Sequence, residues 1–225
     1  MTGLPIEEAL PELAEALQSR GLAVLQAPPG AGKTTRVPLF LLERGLVAGR
    51  ILMLEPRRLA ARAAAERMAQ TLGEDVGQSV GYRMRGDSKV GPQTRIEVIT
   101  EGILMRVIQN DPELAGIGCI IFDEFHERSL QADTGLAFAL EIREALRPDL
   151  VLIAMSATLD AGPVATLMGD APIVTSAGRS FPVESRHLAE PWNRPNRRGP
   201  RFEEAAADLI LQAARETAGG ILAFL

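Results

Sequence analysis

Short apolar runs alternate with segments of helical periodicity along most of the chain. Short runs of this kind are typical of strands buried on both faces of a parallel sheet. The predicted strands are residues 22–26, 50–56, 94–100, 117–123 and 149–158. The predicted helices are residues 7–19, 57–73, 101–109, 130–146 and 160–169, with one more directly after residues 27–35. This alternation predicts an α/β fold, in which a mostly parallel sheet is flanked by helices on both faces.

Charged or glycine-rich clusters follow several of these predicted strands. They lie at residues 27–34, 55–58, 100–102, 123–128 and 156–158. In open parallel sheets, ligands bind beyond the carboxyl ends of the strands. We therefore expect the functional groups of the protein to meet at that edge of the sheet.

The pattern changes after about residue 178. Residues 179–201 contain four Pro and six Arg with little periodicity, which predicts a strand followed by an exposed connector. A helix is predicted over residues 202–217 and an apolar strand over residues 219–225. We therefore predict three parts. They are a complete domain over residues 1–178, a connector over 179–201, and the start of a second, truncated domain over 202–225.

The composition agrees with a globular protein in a reducing compartment. Hydrophobic residues make up 46% and charged residues 24% of the 225 residues. No apolar run approaches the roughly 20 residues that a membrane span needs, and the first ten residues do not resemble a secretory signal. Cys119 is the only cysteine, which excludes an internal disulfide. We expect a cytoplasmic protein that does not bind a membrane.

Charge alone does not indicate a nucleic-acid-binding protein. The formal net charge is −5, whereas proteins that bind nucleic acids mainly by charge are basic. Two segments are locally basic, because residues 50–67 hold five Arg against two Glu and residues 179–201 hold six Arg against two Glu. Such segments can bind phosphates on an acidic protein, although a solvated surface remains the simpler interpretation.

Residues 27–35 read APPGAGKTT and nearly match the phosphate-loop pattern G-x-x-x-x-G-K-[ST], with alanine in the first glycine position. A predicted strand precedes this segment and a predicted helix follows it, which makes an accidental glycine-rich turn the weaker interpretation. Gly30 and Gly32 permit a close backbone path that directs N–H groups at phosphate oxygens. Lys33 is expected to reach the β- and γ-phosphates, and the Thr34 hydroxyl to bind Mg²⁺.

A pair of carboxylates follows another apolar run. Asp123 comes directly after residues 117–122, and we expect this strand to lie beside the strand of the phosphate loop. An Asp at that place is the usual second anchor for Mg²⁺ in phosphate-loop NTPases. Glu124 points in a different direction and can act as general base on the attacking water.

The segment DEFHER, residues 123–128, resembles the DEAH motif of DEAH-box RNA helicases, which belong to helicase superfamily two. Other segments are similar to motifs of that family in the same order, namely residues 54–69, 80–87, 99–106, 155–160, 178–184 and 219–225. The resemblance covers nearly the whole chain. It implies a RecA-like P-loop NTPase domain and the start of a second RecA-like domain. Phe125, where the motif usually has alanine, resembles the HrpB-type helicases of bacteria.

The resemblance also implies roles for individual residues. ATP would contact Ala27, Pro28, Pro29, Gly30, Ala31, Gly32, Lys33, Thr34, Thr35 and, at the adenine, Arg67. Mg²⁺ would be held by Thr34, Asp123 and Glu124. Catalysis and its coupling to domain movement would involve Lys33, Glu124, His126, Ser156 and Thr158. Single-stranded RNA would contact Arg57, Arg58, Arg85 and Thr100.

Two alternatives to an RNA helicase remain at this point. One is an ATP-dependent enzyme that does not act on RNA, although the LSGGQ and NKxD signatures of transporter ATPases and GTPases are absent from the sequence. The other is a nucleotide-gated scaffold without catalysis. The sequence does not distinguish binding of DNA from binding of RNA. Because the family's later motifs are absent, we expect this chain alone to bind nucleotide but to hydrolyse it poorly and not to unwind RNA.

Overall fold

The computed structural model describes residues 3–157, 161–178, 183–188 and 201–224. The chain divides into two units, Met1–Ser180 and Phe181–Leu225, and each is described here by itself. The predicted organisation into a first domain, a connector and the start of a second domain remains a prediction.

A single sheet of eight strands forms the centre of the first unit as far as it is described. The strands are β1 (Leu22–Gln26), β2 (Arg50–Leu54), β3 (Val80–Met84), β4 (Asp87–Lys89), β5 (Ile96–Ile99), β6 (Ile117–Phe122), β7 (Val151–Ser156) and β8 (Ile173–Thr175). Their order across the sheet is β4-β3-β5-β2-β6-β7-β1-β8. Every neighbouring pair is parallel except β3 and β4. The predicted mostly parallel sheet is therefore confirmed.

One helix precedes β1, and five others connect strands of the sheet. They are α1 (Leu10–Arg20), α2 (Lys33–Glu43), α3 (Arg58–Leu72), α4 (Glu101–Asn110), α5 (Leu130–Ala145) and α6 (Gly162–Leu167). The predicted helix over residues 7–19 is divided, because a short 3₁₀ helix (Pro5–Glu8) precedes α1. Pro11 lies in the first turn of α1, where its missing N–H has no helical acceptor to lose.

Two apolar cores lie on opposite faces of the sheet. On β1, Ala23 and Leu25 belong to the core that includes residues of α1, α2 and α3, whereas Val24 belongs to the core that includes residues of α4, α5 and α6. This alternation follows from the two-residue period of a strand. Cys119 is fully buried in β6, as the sequence predicts. Helices therefore cover both faces of the sheet.

The apolar pattern did not predict three strands. β4 consists of Asp87, Ser88 and Lys89, so it carries no apolar signal, and β8 is only three residues long. β3 contains Gly81, where an added Cβ would lie 2.4 Å from the carbonyl oxygen of Lys89 on β4. These short strands are defined by their neighbours in the sheet more than by their own sequences.

In the second unit, α7 (Phe202–Glu216) confirms the predicted helix over residues 202–217. The predicted strand over residues 219–225 is wrong as far as residue 224, because the described residues after α7 are exposed and form no strand. A strand needs a partner for its N–H and C=O groups, and none is found for this segment within the described residues. Of the strand predicted near residues 178–184, residues 179–182 lie outside the described residues. Throughout the described ranges, no helix is both long and apolar enough to cross a membrane.

Candidate nucleotide-binding site

The phosphate loop lies between β1 and α2 at the carboxyl edge of the sheet. Gly30 (φ +78°) and Gly32 (φ +95°) adopt the left-handed conformation that favours glycine. The N–H of Ala27 donates to the carbonyl of Ser156 (3.0 Å), which fixes the start of the loop to the end of β7. Ala31 is buried, whereas Pro29 and Gly30 are exposed. Ala31 therefore fixes the loop to the interior of the protein, whereas Pro29 and Gly30 are accessible to solvent.

Lys33 begins α2 and is only 4% exposed. Its ammonium donates to Oε1 of Glu124 at 2.9 Å, so the two residues predicted to act on the phosphates and on the water form a direct ion pair. Thr34 and Thr35 follow in the first turn of α2 and are half-buried. The structure thus joins the phosphate loop to the DEFHER segment.

Asp123 is 4% exposed at the end of β6. Its Oδ1 accepts the N–H of Glu124 at 2.8 Å. Its Oδ2 is buried and has no hydrogen-bond partner within the described residues. A buried carboxylate oxygen without a donor is costly in the absence of a ligand, and carboxylate oxygen is the ligand type that Mg²⁺ prefers. The chemistry of Asp123 therefore fits the predicted metal.

Burial raises the pKa of the Asp123 carboxyl to about 6. The Thr34 hydroxyl and the Lys33 ammonium oppose this rise, whereas the neighbouring Glu124 adds to it. Burial also raises the pKa of Glu55 to about 7, and the charge of Asp123 contributes to that rise. Negative charge is thus crowded at this point of the sheet edge, and a divalent cation would relieve the crowding.

Glu55 is a site residue that the sequence interpretation missed. It is 4% exposed, and its Oε1 accepts the N–H of Arg57 at 3.3 Å. β2 pairs with β6 so that Leu54 lies opposite Phe122, and the next residues along the two strands are Glu55 and Asp123. The signal was present, since a glutamate follows the apolar strand of residues 50–54. The pairing of β2 with β6, which brings Glu55 next to Asp123, was not predicted.

The expected position of β6 beside β1 is wrong. β7 lies between them, because Ser156 of β7 pairs with Gln26 of β1 and Ala154 of β7 pairs with Phe122 of β6. Lys33 reaches Glu124 across this intervening strand. The sequence gives the order of strands along the chain but not their order across the sheet, so the spacing of the motifs could not reveal this arrangement.

His126 connects the DEFHER segment to the end of β7. Its Nδ1 accepts the N–H of Ala157 at 3.3 Å. The same nitrogen lies 3.4 Å from Oε2 of Glu124. Ser156 is 6% exposed at the end of β7, whereas Thr158 lies outside the described residues. The predicted link between His126 and this segment has a physical contact to support it.

Ligand atoms of Glu124, His126 and Glu127 lie within 4.8 Å of one another. Each is already engaged in part, because Glu124 binds Lys33 and His126 accepts the Ala157 N–H, while Glu127 forms an ion pair with Arg57. The expectation that His126 takes part in coupling, and not in metal binding, remains a prediction.

The four predicted RNA contacts lie along the part of the same edge formed by β3, β5 and β2. Arg57 is exposed and ion-paired with Glu127. Arg58 donates to the carbonyl of Arg85 at 3.1 Å, which places these two side by side. Thr100 precedes α4 at the end of β5. The structure therefore groups these residues next to the phosphate site without overlapping it.

Arg67 is not brought to this edge by any described contact. It lies nine residues after Arg58 on α3, about 13 Å along the helix axis. Its Nη1 donates to Oε1 of Gln70 at 3.0 Å, on the wall of an open cavity formed by the C-terminal half of α3 and the loop that follows. Its proposed contact with adenine remains a prediction.

Comparison with known proteins agrees with this geometry. Residues 7–167 match the family described as DEAD/DEAH box helicase. The ATP-dependent RNA helicase HrpB of Escherichia coli K12 is 50% identical over 225 residues, which are 100% of this chain and 27% of that protein. The ATP-dependent RNA helicase HrpA of the same organism is 34% identical over 223 residues, which are 99% of this chain and 17% of that protein. The chain thus spans less than a third of the length of these relatives.

Solved structures show the same fold. A crystal structure of the E. coli DExH-box NTPase HrpB superimposes with a TM-score of 0.84 at 50% identity and covers 100% of this chain and 27% of that one. A second crystal structure, of the E. coli DEAH/RHA helicase HrpB, gives a TM-score of 0.88 over 96% of this chain. The predicted RecA-like fold and the resemblance to HrpB-type proteins are confirmed. The chain therefore belongs to the DEAD/DEAH box helicase family.

Proposed function

We propose that the protein binds ATP with Mg²⁺ at the phosphate loop, and that the full-length helicase couples ATP hydrolysis to unwinding of RNA. The observation that carries this proposal is the 2.9 Å pair of Lys33 with Glu124, close to the unpartnered Oδ2 of Asp123. A cation for the phosphates, a base for water and a free carboxylate oxygen for a metal are the groups that phosphoryl transfer needs. The similar proteins carry the name ATP-dependent RNA helicase.

Each of these residues would have a defined task. The phosphates would accept the N–H groups of the loop and of the first turn of α2. The Lys33 ammonium would move from Glu124 to the phosphates, which would free the Glu124 carboxylate to take a proton from the attacking water. Mg²⁺, when bound, neutralises phosphate charge, and Oδ2 of Asp123 with the Thr34 hydroxyl would hold it.

Single-stranded RNA would lie along the edge formed by β3, β5 and β2. Arg57, Arg58, Arg85 and Thr100 would contact its phosphates and sugars, so that binding would be salt-sensitive and largely independent of sequence. The ion pair of Arg57 with Glu127, a residue of the DEFHER segment, supports a link between RNA binding and hydrolysis. A cytoplasmic location belongs to the same proposal.

The test is ATP hydrolysis by the full-length protein with and without single-stranded RNA. We expect RNA to stimulate hydrolysis, and Glu124→Gln to lower the rate at least about 100-fold while nucleotide still binds. Glu141→Gln is the matched control, since Glu141 is exposed on α5. Equal rates with and without RNA would contradict the RNA part of the proposal. Full activity of Glu124→Gln would contradict the role of Glu124, and equal stimulation by single-stranded DNA would remove the preference for RNA.

A further inference from the structure

The segment Leu4–Glu7, which we call the N-terminal strap, lies directly against the phosphate loop. The N–H of Ile6 donates to the carbonyl of Ala31 at 3.2 Å, and the Ile6 side chain is fully buried. Ala31 stands between the two left-handed glycines of the loop. One hydrogen bond of the strap therefore holds the middle of the phosphate loop.

Leu4 packs on the last residue of the loop. A Cβ added to Gly32 would lie 2.8 Å from Cδ1 of Leu4, so the leucine side chain covers the α-carbon of Gly32. Leu4 remains 44% exposed, so this contact lies at the surface of the protein. Leu4 thus restricts the glycine that connects the loop to α2.

Both ends of the strap are anchored to elements around the loop. The carbonyl of Pro5 accepts the hydroxyl of Ser176 at 3.1 Å, and the N–H of Ser176 donates to the carbonyl of Gln26 at 2.8 Å. Glu7 forms an ion pair with Arg36 in the first turns of α2. The strap therefore joins the strand before the loop to the helix after it.

We propose that the N-terminal strap consists of positioning residues that hold the phosphate loop in its anion-binding conformation before nucleotide arrives. A loop with two glycines at positive φ can adopt many other conformations, and ordering it at the moment of binding would weaken affinity. The strap acts through the loop, and its contacts include Ala31, Gly32, Arg36 and Ser176. The proposal rests on the proposed binding of ATP at this loop.

The first experiment replaces Leu4, whose side chain lies against Gly32 and is 44% exposed. Leu4→Ala is expected to weaken binding of a fluorescent ATP analogue about 3- to 10-fold while the thermal midpoint changes by less than about 2 °C. Leu146→Ala is the matched control, because Leu146 is 51% exposed at the end of α5, at the opposite edge of the sheet. Unchanged nucleotide affinity in Leu4→Ala would overturn the proposal.

The second experiment breaks the ion pair at the other end of the strap. Glu7→Gln is expected to weaken nucleotide binding by about 2- to 5-fold, since a neutral amide holds Arg36 less firmly than a carboxylate does. Glu8→Gln, at the exposed residue that follows, is expected to bind nucleotide like the wild type. Equal effects of the two substitutions would show that general surface charge, and not the strap, sets the affinity.

Amide hydrogen exchange in the nucleotide-free protein tests the strap without relying on ATP. Leu4→Ala is expected to speed exchange at residues 30–34 several-fold, whereas exchange in β1 and β7 should stay as in the wild type. Unchanged exchange at residues 30–34 in Leu4→Ala would overturn the proposal that the strap holds the phosphate loop, even if the protein binds nucleotide. Faster exchange at these residues, in a protein that does not bind ATP, would support the role of the strap and contradict only the proposed binding of ATP.

Discussion

Asp123 combines burial with an unpartnered oxygen, and this combination makes it the residue most sensitive to a metal. We predict that Asp123→Asn abolishes the dependence of nucleotide affinity on Mg²⁺, because the amide cannot supply an anionic ligand. Without Mg²⁺ the variant should be at least as stable as the wild type, since a buried charge has been removed. Titrations with the fluorescent ATP analogue in Mg²⁺ and in a chelator, together with urea unfolding, measure both effects.

Asp170→Asn is a suitable control for that substitution. Asp170 is exposed and has φ +56°, a conformation that asparagine also adopts readily. The nucleotide affinity of the Asp170→Asn variant should respond to Mg²⁺ as that of the wild type does. A normal response to Mg²⁺ in Asp123→Asn would mean that the metal is held elsewhere.

Arg57 is exposed and bound to Glu127, and we predict that its main ligand is RNA and not nucleotide. Arg57→Ala should weaken binding of single-stranded RNA about 5- to 20-fold and should lower its salt dependence, while ATP affinity changes less than about twofold. Fluorescence anisotropy with labelled RNA at several salt concentrations measures this. Arg62→Ala, which removes a guanidinium paired with Glu66 on the same helix, should leave RNA binding nearly unchanged. A larger loss of ATP affinity than of RNA affinity would reject the role of Arg57.

At the scale of elements, the backbone of β6 lies very close to the backbone of the turn that precedes β2. An added Cβ at Gly118 would lie 1.6 Å from the carbonyl oxygen of Ala48, and this backbone cannot move aside at low cost. We predict that Gly118→Ala lowers the free energy of unfolding by more than about 2 kcal/mol. Gly102→Ala in α4, where an added Cβ would meet no atom within 4 Å, should instead be neutral or raise stability by about 0.5–1 kcal/mol. Urea unfolding of both variants checks the pair, and similar stability in the two would contradict the close approach.

The elements also show what sequence can predict. β1 was predicted with its bounds, because LAVLQ is a continuous apolar run that ends at a glycine-rich turn. β4 was missed because this strand at the border of the sheet carries Asp87, Ser88 and Lys89 and has no apolar residue. β3 was missed although it lies inside the sheet, because Gly81 and Arg83 interrupt its apolar run. The phosphate loop and Asp123 were recognisable because their chemistry follows directly after a strand. Glu55 was not, because its closeness to Asp123 depends on a strand pairing that no local pattern contains.

At the scale of the whole molecule, the buried carboxyls make stability depend on pH. The pKa of Glu55 is about 7 in the folded protein, against an ordinary value of 4.5. The folded state therefore binds a proton more tightly than the unfolded state, and stability falls as the pH rises from about 4.5 to 7. Asp123, with a pKa of about 6, acts in the same direction at lower pH.

We predict that Glu55→Gln removes most of this dependence. In Mg²⁺-free buffer the free energy of unfolding of the wild type should fall, relative to the variant, by about 2 kcal/mol between pH 5 and pH 7.5. Urea unfolding at several pH values measures the difference. Glu97 cannot serve as the control position, because its side chain is buried and forms ion pairs with Arg50 and Arg83. Glu144→Gln, at an exposed residue of α5, serves instead. Parallel pH profiles for the wild type and Glu55→Gln would contradict the raised pKa of Glu55.

The position of β7 between β1 and β6 has a mechanical consequence. At the end of this strand the carbonyl of Ser156 holds the start of the phosphate loop, and the N–H of the next residue, Ala157, holds His126. These two groups belong to a single peptide unit, the one between Ser156 and Ala157, so one peptide unit contacts both halves of the site. We therefore expect a displacement of this strand end to act on the phosphate loop and on His126 at the same time.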